Sequence, residues 1–349
     1  MHRRAPATVS LLAVSLPAVS LLAVSLLAVS LYTARGGSTR QVLQPDASIG
    51  VDQSAMAGSR AQRDSLATTR YRAQVFPSTT SSSAVYRTAP DLVSGAPVQE
   101  SLTVYQPAGD VATSRPLIVW IHGGGFAVGD RSIMAPEADA YARLGYVTAS
   151  IDYRLDPGNQ CLQVQFGLIT DPTAYAVAYA RCQRAILGAR DDAAAAIAWL
   201  RVHAVAYGID TTRVAVAGSS AGAVTAINVG QTLNTPGNPP PAASRVSAVL
   251  AMSGCNYFDG TIDAADAPIA MVAAGGDPLI PFSCSAATTA SAEAVGTPVA
   301  RNFYALDTGH AESIYYAPGR DRPHVAAVPH RHDGPAVSAT PFSVAMGES

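Results

Sequence analysis

Between residues 214 and 227, an apolar run, Val214-Ala215-Val216-Ala217, meets the pentapeptide Gly218-Ser219-Ser220-Ala221-Gly222. Ala223-Val224-Thr225-Ala226-Ile227 follows and can continue as a helix. A β-branched run, a cluster of small residues and a helix-compatible segment predict a strand, a sharp turn and a helix. Few arrangements satisfy that junction. The turn strains its central residue, and any bulky neighbour would clash. Ser220 then sits at the tip, above the sheet and near the positive end of a helix. Ser219 is expected to face away.

The chain around this junction alternates in the same manner. Leu117-Ile118-Val119-Trp120-Ile121 is a continuous apolar run, as a strand buried on both faces requires. Residues 135–144 read as a helix and 146–151 as a strand. Residues 191–207 read as a helix, and 246–252, 269–273 and 302–306 as further strands. Two short alternating segments, 84–86 and 102–105, predict an edge hairpin. Strands alternating with helices predict an α/β fold, with a mostly parallel central sheet covered by helices on both faces. Functional groups in such sheets gather at the C-terminal ends of the strands. At 349 residues, 48% of them hydrophobic, the chain can bury one large core of this kind.

The ends differ in composition. His2, Arg3 and Arg4 precede an apolar stretch from about Val9 to Leu31 with an imperfect Leu-Leu-Ala-Val-Ser repeat. This pattern predicts an export signal or a retained N-terminal membrane anchor over residues 1–34. Residues 35–83, rich in Ser, Thr, Ala, Gln and Gly, read as a disordered linker. The catalytic domain is expected over 84–320. Residues 321–349, with four prolines and His324, His330 and His332, read as a disordered tail.

A formal net charge of −2 gives no field for nucleic acid or an anionic membrane surface. Every basic residue apart from histidine is arginine, which excludes Schiff-base, P-loop and general-base lysines. Cys161, Cys182, Cys255 and Cys284 form no CxxC and show no zinc-finger spacing. An even count suits two disulfides in an exported chain. Proximity along the chain would pair Cys161 with Cys182 and Cys255 with Cys284, although three pairings are formally open.

A serine hydroxyl is a weak nucleophile and needs an adjacent base and donors aimed at the developing oxyanion. His122-Gly123-Gly124-Gly125-Phe126 follows a predicted strand, and its glycines let backbone N–H groups approach a substrate oxygen. Gly124, Gly125 and Ala221 are the expected oxyanion donors. No GxGxxG or GK[ST] accompanies the loop, so phosphate binding is disfavoured. Asp277, at the end of a predicted strand, is placed to orient an imidazole. Asp259, Asp263 and Asp266 are rivals in a looser acidic loop. Of the seven histidines, four lie in the terminal segments, His203 falls in a helix and His122 in the glycine loop. His310, in Gly309-His310, remains as the base. Phe126, Tyr257, Phe258 and Phe282 could line a substrate pocket or pack in the core. Asp130, Asp152, Tyr153, Arg154 and Asp192 read as structural, with Arg154 paired to a carboxylate.

The order Ser220, Asp277, His310, with HGGG upstream, resembles the α/β-hydrolase superfamily, in its HGGG-type hormone-sensitive-lipase-like and carboxylesterase-like esterases and lipases. The resemblance runs from about residue 84 to 316. It also rests on Asp152-Tyr153-Arg154-Leu155, the helix through Trp199-Leu200, Asp277-Pro278 and Gly309-His310. It implies hydrolysis of small or short-acyl carboxylic esters through an acyl-serine intermediate, without metal or organic cofactor. The partner expected is a small-molecule ester. A peptidase or acyltransferase on the same scaffold, and a non-catalytic binding protein of that fold, are the alternatives. Two departures concern the subfamily. Ser219 stands where many relatives carry Asp, and Asp156-Pro157-Gly158 replaces the common Ala-Pro-Glu.

Overall fold

The computed structural model describes residues 70–231, 241–258 and 261–318. The N-terminal apolar segment, Asp259 and the histidine-bearing tail lie outside the described residues. Strands β1 (Thr79–Pro90) and β2 (Pro97–Pro107) form an antiparallel hairpin. β2 also runs antiparallel to β4 (Val147–Ile151). β3 (Arg115–Ile121), β5 (Ile209–Ser219), β6 (Ala248–Met252), β7 (Ile269–Ala274) and β8 (Val299–Tyr304) are parallel to β4 and to one another. The resulting order is β1-β2-β4-β3-β5-β6-β7-β8, a mostly parallel eight-stranded sheet.

Seven helices are described: α1 (Ala135–Arg143), α2 (Gln160–Gln165), α3 (Pro172–Val202), α4 (Ala204–Tyr207), α5 (Ala221–Gln231), α6 (Phe282–Ala294) and α7 (Glu312–Tyr315). Successive side chains of β3 point to opposite faces. Leu117, Val119 and Ile121 therefore pack with Ile197, Leu200 and Ile227 of α3 and α5. Ile118 and Trp120 pack with Met134, Tyr141 and Ile314 on the other face. Both faces of the central strands are dry, which is why these strands read as unbroken apolar runs. Every residue of α5 is buried, so the helix behind Ser220 has no solvent-facing side.

Among the boundaries that differ from the sequence pattern, three have a local cause. β1 starts at Thr79 rather than Ala84. Its first residues are Thr and Ser on an exposed edge, so they lack apolar alternation. Structure extends further back to Arg70, inside the stretch assigned to the linker, because its guanidinium pairs with Asp110. α3 begins at Pro172, nineteen residues before the predicted Asp191 start. Before Ala185 it buries only Ala178, so no apolar stripe marks its start. Its start is set instead by Asp171, whose side chain accepts the Ala174 N–H at 2.7 Å, with Pro172 in the first turn. No helix among the described residues is long and apolar enough to cross a membrane.

The hairpin is fixed to α3 by buried charge. Asp192, fully buried on α3, accepts from Arg87 of β1 and from the Arg154 backbone N–H (3.0 Å) and Nε (2.8 Å). Glu100 stands opposite Arg87 in the β1–β2 register and is itself buried. Burial, then the Asp192 and Asp152 carboxylates, push the Glu100 carboxyl up to about 7, against the pull of Arg154 and Arg87. A raised carboxyl pKa means that the folded state binds the proton more tightly than the unfolded one. Stability on this account falls as pH rises from the ordinary value near 4.5 to about 7, and is level above that. Glu100→Gln is expected to raise Tm by about 2–4 °C at pH 8 and by less at pH 5. Thermal unfolding at both pH values checks this, and an equal shift at each would refute it.

Candidate active site

β5 ends at Ser219 and α5 begins at Ala221, so the turn falls on Ser220 alone. Ser220 adopts φ +54°, a left-handed conformation that costs a non-glycine residue energy. It is retained because the elements on either side over-determine it. The Ser220 N–H donates to the Met252 carbonyl at 2.9 Å. Gly222 packs against the chain at the end of β3, where an added Cβ would overlap the Ile121 and His122 carbonyls.

Asp277 follows β7, and His310 lies between β8 and α7. His310 Nδ1 is 2.9 Å from both carboxylate oxygens of Asp277, which fits an Nδ1–H donor. Asp277 Oδ1 also accepts the N–H groups of Leu279 (2.9 Å) and Ile280 (3.0 Å). Burial works against the Asp277 charge. Hydrogen bonds from His310, Ile280, Ser253 and Leu279 outweigh it and hold the carboxyl below its ordinary value. His310 Nε2 is buried and makes no hydrogen bond. It belongs to a cavity that Ser220 also lines.

Ser253 is a member of this arrangement that no sequence motif marked. It follows β6, is fully buried and also has a left-handed φ of +54°. Its hydroxyl accepts the Ala311 N–H at 2.8 Å and donates to Asp277. One side chain therefore ties the backbone beside His310 to the carboxylate that holds the imidazole. The only sequence signal was a serine directly after a predicted strand.

The glycine loop turns sharply at Gly124, with φ +113°, where a Cβ would overlap Val128. The Ala127 and Val128 N–H groups close the turn on the Gly124 carbonyl at 3.0 and 3.1 Å. His122 is wholly buried and stacks on Tyr153 at 4.3 Å, with Nδ1 2.6 Å from the Gly123 carbonyl. The Tyr153 hydroxyl donates to the His122 carbonyl at 3.0 Å. Burial lowers the His122 pKa, so a neutral ring supports the loop from behind. His203 stacks on Trp199 at 3.8 Å, away from these groups.

The cavity measures about 730 Å³ and its walls are largely apolar. The glycine loop, Ser220, Ala221 and His310 border it, as do Phe126, Tyr257 and Phe258. Phe282 does not. Its ring meets Phe303 edge-on at 5.0 Å, at the start of α6, so the expectation that it lines the pocket is corrected. Among the rival acids, Asp266 is buried and accepts the Asp263 N–H at 2.6 Å, and neither residue borders the cavity. Disulfides join Cys161 to Cys182 and Cys255 to Cys284. The first lies in the cavity wall. The second ties the loop after β6 to α6. No group of residues able to hold a metal ion occurs among the described residues. An imidazole fixed at Nδ1, with Nε2 unpartnered and its residue lining the same cavity as a serine, can accept a proton from that hydroxyl or from a bound ligand.

A family model described as alpha/beta hydrolase fold matches residues 170–348, and one described as BD-FAE matches residues 102–181. Among curated proteins, the chain is 28% identical over 152 residues to Esterase LipI of Mycobacterium tuberculosis, covering 40% of each. It is 27% identical over 165 residues to Carboxylesterase NlhH of the same species, covering 44% of each. The chain thus spans less than half the length of these relatives. Among solved structures, it resembles Thermogutta terrifontis esterase 2 phosphorylated by paraoxon, with a TM-score of 0.51 and 19% identity. That likeness covers 68% of this chain and 86% of the other, and is one of fold.

Proposed function

The chain belongs to the α/β-hydrolase fold family, and from that premise we propose that it is a serine carboxylic-ester hydrolase. One observation carries the reading. The His310 imidazole is held at Nδ1 by Asp277 and leaves Nε2 unpartnered in the cavity that Ser220 borders. In the proposed reaction, His310 Nε2 takes the Ser220 proton as Oγ attacks the ester carbonyl. The oxyanion is met by the N–H groups of Gly124, Gly125 and Ala221. His310 then protonates the leaving alcohol and activates water for release of the acid. Asp277 fixes the tautomer throughout. Similarity to proteins named as an esterase and a carboxylesterase supports the reaction class.

Small or short-acyl esters are the proposed substrates. The two disulfides and the basic-then-apolar N-terminus support an exported protein, with residues 1–34 acting in export or anchoring. A fluorophosphonate probe tests the chemistry. Peptide mass mapping is expected to find one adduct, on Ser220. An unlabelled protein, or a label on Ser219, would overturn the assignment.

A further inference from the structure

The segment between β4 and α3 carries the short helix α2, and none of the six residues of α2 is buried. Its N-terminal flank, Asn159, has φ +56° and no side-chain cap. The residues of α2 are only half-buried, with Cys161 resting against the core, so burial alone does not fix α2. Discrete ties do. Asp156, just ahead of it, pairs with Arg181 of α3 and donates its N–H to the Phe126 carbonyl at 2.8 Å. Cys161 is bonded to Cys182 of α3. Gln165 Nε2 donates to the Leu279 carbonyl, in the loop that carries Asp277. Leu162 lies over the glycine loop, where a Cβ on Gly125 would be only 3.2 Å from its Cγ and Cδ1.

These ties stretch α2 across the cavity from α3 to the acid loop. Cys161, Leu162, Val164 and Gln165 all form its wall. We propose that α2 is a tethered specificity wall. In this arrangement Leu162 sets the size of group accepted beside the oxyanion loop, and the Cys161–Cys182 bond and Gln165 hold Leu162 there. The inference rests on the esterase reading and adds the element that limits substrate size. An element held by a few ties opens at low cost, so cutting one relaxes the limit without disturbing the sheet.

The test compares kcat/KM for p-nitrophenyl decanoate and p-nitrophenyl acetate in four proteins: wild type, L162A, L162W and the double variant C161S/C182S. L162A is expected to raise the decanoate-to-acetate ratio by about tenfold, and L162W to lower it by a similar factor. The double variant should move the ratio in the direction of L162A, because the wall is freed rather than trimmed. Ratios within about twofold of wild type in both Leu162 variants would overturn the proposal while leaving the esterase reading intact. A wild-type protein that hydrolyses neither ester and takes no fluorophosphonate would overturn both.

Discussion

Ser220→Ala is expected to cut kcat for p-nitrophenyl acetate by about 10⁵-fold or more. The substitution removes only Oγ, the atom that would form the acyl bond. Alanine has the same backbone restrictions as serine, so the left-handed turn is no worse for it, and Met252 and the buried α5 still hold the backbone. Tm is accordingly expected to stay within about 2 °C of wild type. What remains should be the small catalysis given by the oxyanion donors and by binding. Ser219→Ala is the control, because Ser219 occupies the last position of β5 and the role falls to its neighbour. Steady-state kinetics with thermal melts on both variants decides the matter. An S220A enzyme within tenfold of wild type would remove Ser220 from the reaction.

Asp277→Asn should cost about 10⁴-fold in kcat, for a geometric reason. Oδ1 of Asp277 is already the acceptor for the Leu279 and Ile280 N–H groups. An asparagine would keep its carbonyl oxygen on those two donors and turn its NH₂ toward His310. The imidazole would then accept at Nδ1 and carry its proton on Nε2, the nitrogen that must take the Ser220 proton. The change should fall on kcat with little effect on KM, because no group facing the ester is altered. A loss under tenfold would show that Asp277 does not set the tautomer. Stability should respond as well. The depressed carboxyl contributes stability above the ordinary aspartate range, and that contribution is lost as pH falls through its lowered value. The difference in Tm between wild type and D277N should therefore narrow below about pH 4.

How much of this was legible beforehand follows from where the constraint is local. The strand–turn–helix at Ser220 is written in neighbouring residues, because the turn excludes all but small side chains on both sides. The central strands are legible because both faces are dry and the residue pattern shows it. Asp277 and His310 could be singled out by strand position, although they are brought together only by the parallel order of β7 and β8. Ser253 was not legible, since its role depends on β6 lying between β5 and β7. The first half of α3 was missed because an exposed, alanine-rich helix has no apolar stripe. Phe282 was misplaced because an aromatic beside a predicted loop gives no hint of Phe303 opposite it.

The joint between Gly222 and the end of β3 has a further consequence for mutational tolerance. There the backbone of the helix behind Ser220 touches the backbone that leads into the glycine loop, with no side chain between them. The serine and the proposed oxyanion donors thus behave as one rigid part, and neither can be adjusted without moving the other. A directed-evolution library aimed at this joint should return mostly inactive clones. Variation in α2, none of whose residues is fully buried, is free to retune which esters are accepted. The molecule separates a part that must stay fixed from a part that can change, and the boundary runs along the wall of one cavity.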